Sequence, residues 1–378
     1  GRAGRPASGV HDDLYVKGVA VRVREMLVVW VGADLLIVPP EVKDAVVAGL
    51  GERFGLQRGQ IYLGATHTHC SLGGWGRGLV AEAFAGKFHP GVNVWLTKCM
   101  VRAAEAAVAD LQPARIGAAL FAAPEWVRNR LVGNLGEVDT EFALLVIRQE
   151  GGRMGLVGSY GAHATVLGSD MMQFSGDYPG AWQRFVESAT GGCALFLAGA
   201  VGSQSPVPGD RGLAGVERMG RALAERTLEE VAGTVLQSET VLGWTAAEVY
   251  MPPLNWRVHN RWRLRPWLAE RLLRPPAAMT LQAVRVGQMI WLSTPCDFSG
   301  ELAIRIKEGL AARGYQGVLT SFNGDYVGYV IPGRYQAMAG YEPRTMSFFG
   351  PYVGDYFQEG LRKLAGGLIQ PHAGAPRN

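Results

Sequence analysis

Apolar positions along this chain take two forms: short unbroken runs, and longer stretches in which they recur every three or four residues. Met26 to Val38, rich in Val, Leu and Trp, is of the first form and predicts a buried strand. Pro39-Pro40-Glu41 then opens an amphipathic helix to about Leu50, because proline is tolerated in the first helical turn. Gln60 to Thr66 predicts a second strand, which runs into a segment of His and Gly. A helix is expected from about Val92 to Leu111, closed by Pro113. Phe142 to Tyr160 carries two strands around Glu150-Gly151-Gly152, the pattern of a hairpin. Tyr178 to Ser188 predicts a helix and Cys193 to Ala198 a strand, while Leu213, Val216, Met219, Leu223, Leu228 and Val231 fit one face of a helix over Gly212 to Val231. Ala283 to Ser293 predicts a hairpin around Gly287-Gln288, followed by helices from about Gly300 to Arg313 and from Tyr352 to Leu364.

This alternation of strands and helices predicts an α/β fold of layered mixed β-sheets flanked by helices. No repeat and no long polar linker interrupts it, so residues 1–378 are expected to form a single domain. Composition narrows the class: 48% hydrophobic and 19% charged residues with 52 glycines exclude a disordered chain, a coiled coil and a disulfide-stapled miniprotein. The net charge of +4 is local rather than spread along a stripe, so nucleic acid is not an expected partner. The longest apolar runs, Met26 to Ala33 and Cys193 to Gly202, stop short of the ~20 residues that span a bilayer. The opening Gly-Arg-Ala-Gly-Arg-Pro is not a basic-plus-apolar leader, so a signal peptide is expected to be absent or already removed. Cys70, Cys99, Cys193 and Cys296 fall in no Cys-x-x-Cys spacing; buried thiols are the default, one or two disulfides the alternative.

One segment stands out. Over Trp256 to Pro276, Trp256, Trp262 and Trp267 interleave with Arg257, Arg261, Arg263, Arg265, Arg271 and Arg274. Such a segment suits a lipid headgroup interface, with indoles at the boundary and guanidinium groups on phosphates. It equally suits a surface helix whose Arg stems pack on the core.

The chemistry concentrates where strands end. Gly64-Ala65-Thr66-His67-Thr68-His69-Cys70 follows an apolar strand, and in extended backbone His67 and His69 would face one site. Two imidazoles converging at the C-terminal end of a strand point to a metal, and zinc needs three or four such ligands. His163 follows Ser159-Tyr160-Gly161-Ala162 at another strand end. Asp297 lies between a strand and a helix, where a helix N-cap is the plainer reading. Gly324-Asp325-Tyr326-Val327-Gly328-Tyr329 brings phenols and a carboxylate, and Asn129-Arg130 a cation for a carboxylate or carbonyl. Ala198 to Pro206 is a Gly-rich turn bearing serines, distinct from the Gly-x-Ser-x-Gly elbow. From these residues alone a metal-dependent amidohydrolase barrel also competes, although the paired strands do not count to eight βα units.

Taken in order, these blocks resemble the catalytic region of the neutral/alkaline non-lysosomal ceramidases, zinc amidases that cleave N-acylsphingosines. The likeness runs from about His11 to Leu364 and includes Ala65 to His69, Asn129-Arg130, Val138-Asp139 leading to His163, and Ser175 to Gly180. It continues through Gly202 to Pro206, Asp297-Phe298, Tyr326 to Tyr329, Tyr341-Glu342 and Phe349 to Tyr352. The resemblance implies zinc on His67, His163, Asp297 and Tyr329, with His69, Arg130 and Tyr341 near the scissile amide and Ser205 as the matching catalytic serine. It implies a catalytic domain without the carboxy-terminal immunoglobulin-like domain, and a secreted, periplasmic or membrane-peripheral protein. The family pattern has Glu where this chain has Asp297, so the metal must shift or the backbone must come closer. Cys70-Ser71-Leu72-Gly73-Gly74-Trp75 replaces the usual sequence after His-Thr-His, and Val207 the usual Asn after the Ser-Pro pair. The expected function is zinc-dependent hydrolysis of ceramide or a related N-acyl lipid, with membrane contact through Trp256 to Pro276. The alternatives are a zinc hydrolase of a non-lipid amide or ester, and a degenerate scaffold that binds lipid or a partner without turnover.

Overall fold

A computed structural model describes residues 6–369; the first five residues, on which the leader reading rests, lie outside the described residues. In chain order, β1 (Gly9–Val10), β2 (Val16–Val23) and β3 (Met26–Ala33) precede α1 (Pro40–Phe54) and β4 (Ile61–Ala65). Helices α2 (Leu79–Ala85) and α3 (Pro90–Ala109) follow, then β5 (Ala114–Ala122), β6 (Val127–Asn129), β7 (Glu141–Gln149), β8 (Met154–Tyr160) and β9 (Gln173–Phe174). Next come α4 (Asp177–Thr190), β10 (Cys193–Ala198), β11 (Gln204–Pro206), α5 (Gly212–Gly233) and β12 (Leu242–Tyr250). The chain ends with α6 (Pro266–Leu273), β13 (Ala278–Val286), β14 (Met289–Ser293), β15 (Asp297–Phe298), α7 (Gly300–Ala311), β16 (Gln316–Thr320), β17 (Tyr329–Val330) and α8 (Val353–Leu368).

Three sheets carry the fold, ordered β2-β3-β4, β10-β8-β7-β5 and β12-β13-β14-β16. Each is mixed: β3/β4, β8/β10 and β14/β16 run parallel, and the other pairs run antiparallel. This is the expected layered α/β architecture. The sheets turn one face each toward a shared core that includes Val28, Trp30, Tyr62, Leu145, Val157, Leu195, Leu197, Val284, Trp291 and Val318. The opposite faces are covered by helices. Leu27, Val29 and Val31 pack with residues of α1 and α3, Phe142 and Phe196 with α4 and α5, and Ile290 and Leu292 with α7 and α8. Alternate residues of one strand therefore enter two cores, and that is why Met26 to Ala33 is apolar without a break.

The predicted strand over Met26 to Val38 stops at Ala33, and the predicted hairpin at Ala283 begins five residues earlier, at Ala278. The sequence reading passes over β2, β5, β12 and β16, whose half-buried faces or short length leave little apolar signal. All four cysteines are free thiols, with Cys70 and Cys296 buried. The Trp/Arg segment is helical only at Pro266–Leu273, and an isolated bridge pairs Arg257 with Arg263 before it. No helix among the described residues is long and apolar enough to cross a membrane.

Candidate metal centre and substrate cavity

Strand ends from all three sheets meet at one place. Ser321 N–H bonds to Ala198 O at 2.9 Å, and Gly202 N–H to Phe298 O at 2.8 Å, tying the loops after β10, β14 and β16 together. The loops after β4 and β8 add the histidines. His67 lies beyond the strand in the left-handed region, φ 64°, so the expected extended His-Thr-His geometry is replaced by a kink. That kink, rather than strand alternation, turns the His67 and His69 rings toward one another, centroids 4.9 Å apart. Phe322, itself at φ 65°, stacks on His67 at 4.0 Å and fixes its plane.

The nitrogens of His67, His69 and His163 that could ligate an ion all lie within 4.8 Å of one another. His67 Nε2 is 2.9 Å from His163 Nε2, and His69 Nε2 is 3.2 Å from it. The Nδ1 atoms of His67 and His163 face the carbonyls of Leu36 at 2.6 Å and Val201 at 3.3 Å. A carbonyl only accepts, so both Nδ1 atoms carry the proton and both Nε2 atoms present lone pairs. Burial, with neighbouring positive charge, holds both rings well below the usual histidine range, so protonation does not relieve their opposition. For His69, desolvation and the Arg130 charge lower the pKa to about 4.

Asp297 faces the same point, with Oδ1 3.5 Å from His67 Nε2. It lies on β15 rather than capping α7, whose N-cap position is Ser299. Its Oδ2 accepts from Tyr326 Oη at 2.8 Å, while buried Oδ1 has no hydrogen-bond partner. Desolvation raises this carboxyl to about 7 against the opposing Tyr326 bond and Arg130 charge. The backbone packs closely here: a Cβ at Gly202 would overlap the Asp297 carbonyl, so glycine is what lets β15 pack there. The β15/β17 register sets Asp297 opposite Tyr329, whose hydroxyl accepts from Arg130 Nη2 at 2.8 Å. Arg130 also pairs with Glu342 at 3.0 Å. Tyr341, half exposed, meets Tyr329 edge to face at 6.1 Å.

Residues predicted as one site thus separate into two groups. His67, His69, His163, Asp297, Tyr329, Arg130 and Tyr341 come together. Ser205 does not: it lies on β11 opposite Arg128, accepts from Arg128 Nε at 3.4 Å, and is not among the cavity's lining residues. Asp325 is occupied by Lys43 at 2.7 Å. Sequence reasoning left Tyr326, Phe322 and Glu342 without roles; Tyr326 carried a signal in its tyrosine- and glycine-rich run, while Phe322 carried none.

Above this floor opens a cavity of about 1140 Å³, reached by His67, His69, Asp297, Tyr329 and Tyr341. Its walls are largely apolar, including Leu36, Leu72, Trp75, Phe84, Met346 and Phe348. Helices α2 and α6 stand at its side through Val80, Phe84, Leu272 and Leu273.

A histidine cluster compatible with a metal thus lies at the base of a largely apolar cavity. The family model "Neutral/alkaline non-lysosomal ceramidase, N-terminal" matches residues 1–201, and the chain belongs to that family. Among solved structures, the neutral ceramidase of Pseudomonas aeruginosa matches with TM-score 0.78 at 20% identity, covering 98% of this chain and 72% of that one. A ceramidase complexed with C2 matches with TM-score 0.80 at 18% identity, covering 100% and 74%. No curated protein sequence matches the chain.

Proposed function

We propose that this chain is a single catalytic domain that hydrolyses the amide of a long-chain N-acyl lipid, ceramide being the named example, with zinc as cofactor. The observation that carries the reading is the 2.9 Å opposition of two proton-free Nε2 atoms beside an unpaired buried carboxylate oxygen. Such a donor set is repulsive by itself and becomes favourable around a cation. His67, His163 and Asp297 would hold the ion, with Tyr329 as the fourth ligand. Zinc there supplies Lewis acidity toward a water and a carbonyl oxygen.

The remaining residues have roles of their own. Arg130, oriented by Glu342 and Tyr329, presents fixed positive charge to the oxygen on which negative charge develops. His69, neutral near pH 7, would take a proton from the attacking water and pass it to the leaving amine. Tyr341 forms the edge of the wall and orients the amide. The apolar wall binds the acyl chain and keeps bulk water from the reacting bond. Ser205 is a positioning residue: β11 pairs with β6, and the residue after β6 is Arg130. The Trp256 to Pro276 segment gives the protein a peripheral membrane contact beside the cavity.

Elemental analysis of protein purified without added zinc tests the centre. About one zinc per chain in the wild type, lost in His67→Ala and Asp297→Ala, is expected; a wild type that is metal-free and cannot be reconstituted overturns the reading. Hydrolysis of micellar N-acyl lipid, compared with short-chain N-acyl amides, then tests the substrate class, and turnover of the short amides alone would assign a soluble substrate.

A further inference from the structure

Outside the metal centre, a second cavity of about 390 Å³ is lined by Arg257, Arg261 and Arg263, together with Asn255, Asn260 and Gln336. No carboxylate lines it. Among the described residues, none of these arginines forms an ion pair with Asp or Glu, nor do Arg265, Arg271 and Arg274 along the same segment. What sets these apart from other unpaired arginines is that three of them, Arg257, Arg261 and Arg263, line one cavity.

The cavity is built rather than incidental. Arg257 is buried and its guanidinium donates to the carbonyls of Gln336, Ala337 and Met338, which locks it in place. The Arg257–Arg263 bridge closes the hairpin and brings the second cation alongside. Asn260 Oδ1 accepts from Arg344 Nη1 at 3.1 Å, adding a further cation to the neighbourhood. Desolvation, then the charges of Arg263 and Arg344, push the Arg257 guanidinium below its ordinary value. Like charges gathered without a counterion are stabilised by an anion.

We propose that this cavity is a binding site for a phosphate-type oxyanion, held by Arg261 and Arg263 beside the fixed charge of Arg257. Guanidinium forks match the paired oxygens of such an anion, and helix or lysine charge is not needed. The neighbourhood suits a lipid headgroup as well as a free ion. Trp262 is 70% and Trp267 61% exposed, both within a few residues of the arginines. Phe348 and Phe349 line the substrate cavity, and the next two residues, Gly350 and Pro351, line this one. A headgroup seated here would place the bilayer surface beside the mouth through which an N-acyl lipid enters. The anion site itself does not depend on the amidase reading.

The test uses the full chain and two probes: inorganic phosphate, read by titration and by thermal midpoint, and vesicles of phosphatidylcholine with or without phosphatidylglycerol, read by co-sedimentation. Arg261→Gln with Arg263→Gln is the variant, since both side chains are exposed and the backbone bridge survives the change. Arg261→Gln alone replaces it if the double variant is destabilised. The control removes two exposed arginines elsewhere, Arg102→Gln with Arg313→Gln. We expect affinity to fall about tenfold or more in the variant, and little in the control. Loss of phosphate binding assigns a free oxyanion as a ligand; loss confined to phosphatidylglycerol vesicles assigns the headgroup. Wild type that binds neither probe, or an equal fall in variant and control, overturns the proposal.

Discussion

The floor and the rim of the substrate cavity are built on opposite principles. At the floor, His67, His163 and Asp297 are buried, and each is fixed by a backbone carbonyl or a tyrosine. At the rim, α2 buries none of its residues and α6 buries only Ala269. Leu79 on α2 and Trp267 on α6 are 78% and 61% exposed, and Trp262, in the segment leading into α6, is 70% exposed. The floor keeps polar groups rigid in a desolvated place, which is what reaction chemistry needs. The rim keeps apolar groups in water, which a protein tolerates in clusters chiefly where something docks. Reaction type therefore belongs to the floor and choice of substrate phase to the rim, and the two should respond independently to mutation.

The largest effects are expected at the floor. His163→Ala removes the residue whose Nε2 lies near both other histidines, and should abolish metal retention and lower kcat at least ~10³-fold, the order of losing a catalytic element outright. Elemental analysis alongside single-turnover assays checks both. If metal stays while activity goes, His163 is an acid–base group and the ligand set must be redrawn. Arg130→Gln loses the charge and shortens the side chain; kcat should fall ~10²–10³-fold with metal content unchanged. A change in KM alone would instead make Arg130 a binding residue.

At the rim the expected effect is smaller and conditional. Trp262→Ala with Trp267→Ala should lower turnover of vesicle-borne N-acyl lipid about tenfold, through the lost interfacial area, and leave short-chain soluble amides unaffected. Equal loss on both substrates would mean that the rim supports the floor rather than acting apart from it.

The floor was far more legible in sequence than the rim or the sheet arrangement. With seven histidines in the chain, His67, His69 and His163 stood out at strand ends, and the structure brings all three together. Asp297 and Tyr329 also stand out near strand ends, but only the family resemblance makes them ligands, because nothing local in a two-residue strand marks one. His67 and His69 do not converge through extended backbone: the chain brings them together with a left-handed residue held by Phe322, a contact 255 positions away that no local pattern contains. The sharing of one core by three sheets is equally non-local. The unbroken apolar run of β3 reveals that both faces are buried, but not what covers each.

Gly202 links floor to fold, and Gly202→Ala probes that link. The added methyl has no room against the Asp297 carbonyl, so overpacking should cost about 1–3 kcal/mol and draw Asp297 away from the histidines. Thermal denaturation with and without zinc reads both consequences: a lowered midpoint, and a smaller upward shift on adding zinc. A normal zinc shift in a destabilised variant would show that the close approach serves packing alone.

Ser205→Ala should do least. The Ser205 hydroxyl is half-buried on β11 and accepts from Arg128 at 3.4 Å, a hydrogen bond worth about 1 kcal/mol or less. What it offers the site passes through the β6/β11 ladder, where Ser203 O accepts from Arg130 N at 2.9 Å whatever the side chain at 205. A fall in kcat of about fivefold or less follows, with Ser205→Thr restoring it because a hydroxyl returns to the same place. A loss as deep as that of Arg130→Gln, not rescued by Thr, would mean that β11 moves toward the cavity when substrate binds and that Ser205 touches the amide. In that event the rigidity claimed for the floor would hold only for its metal-binding half.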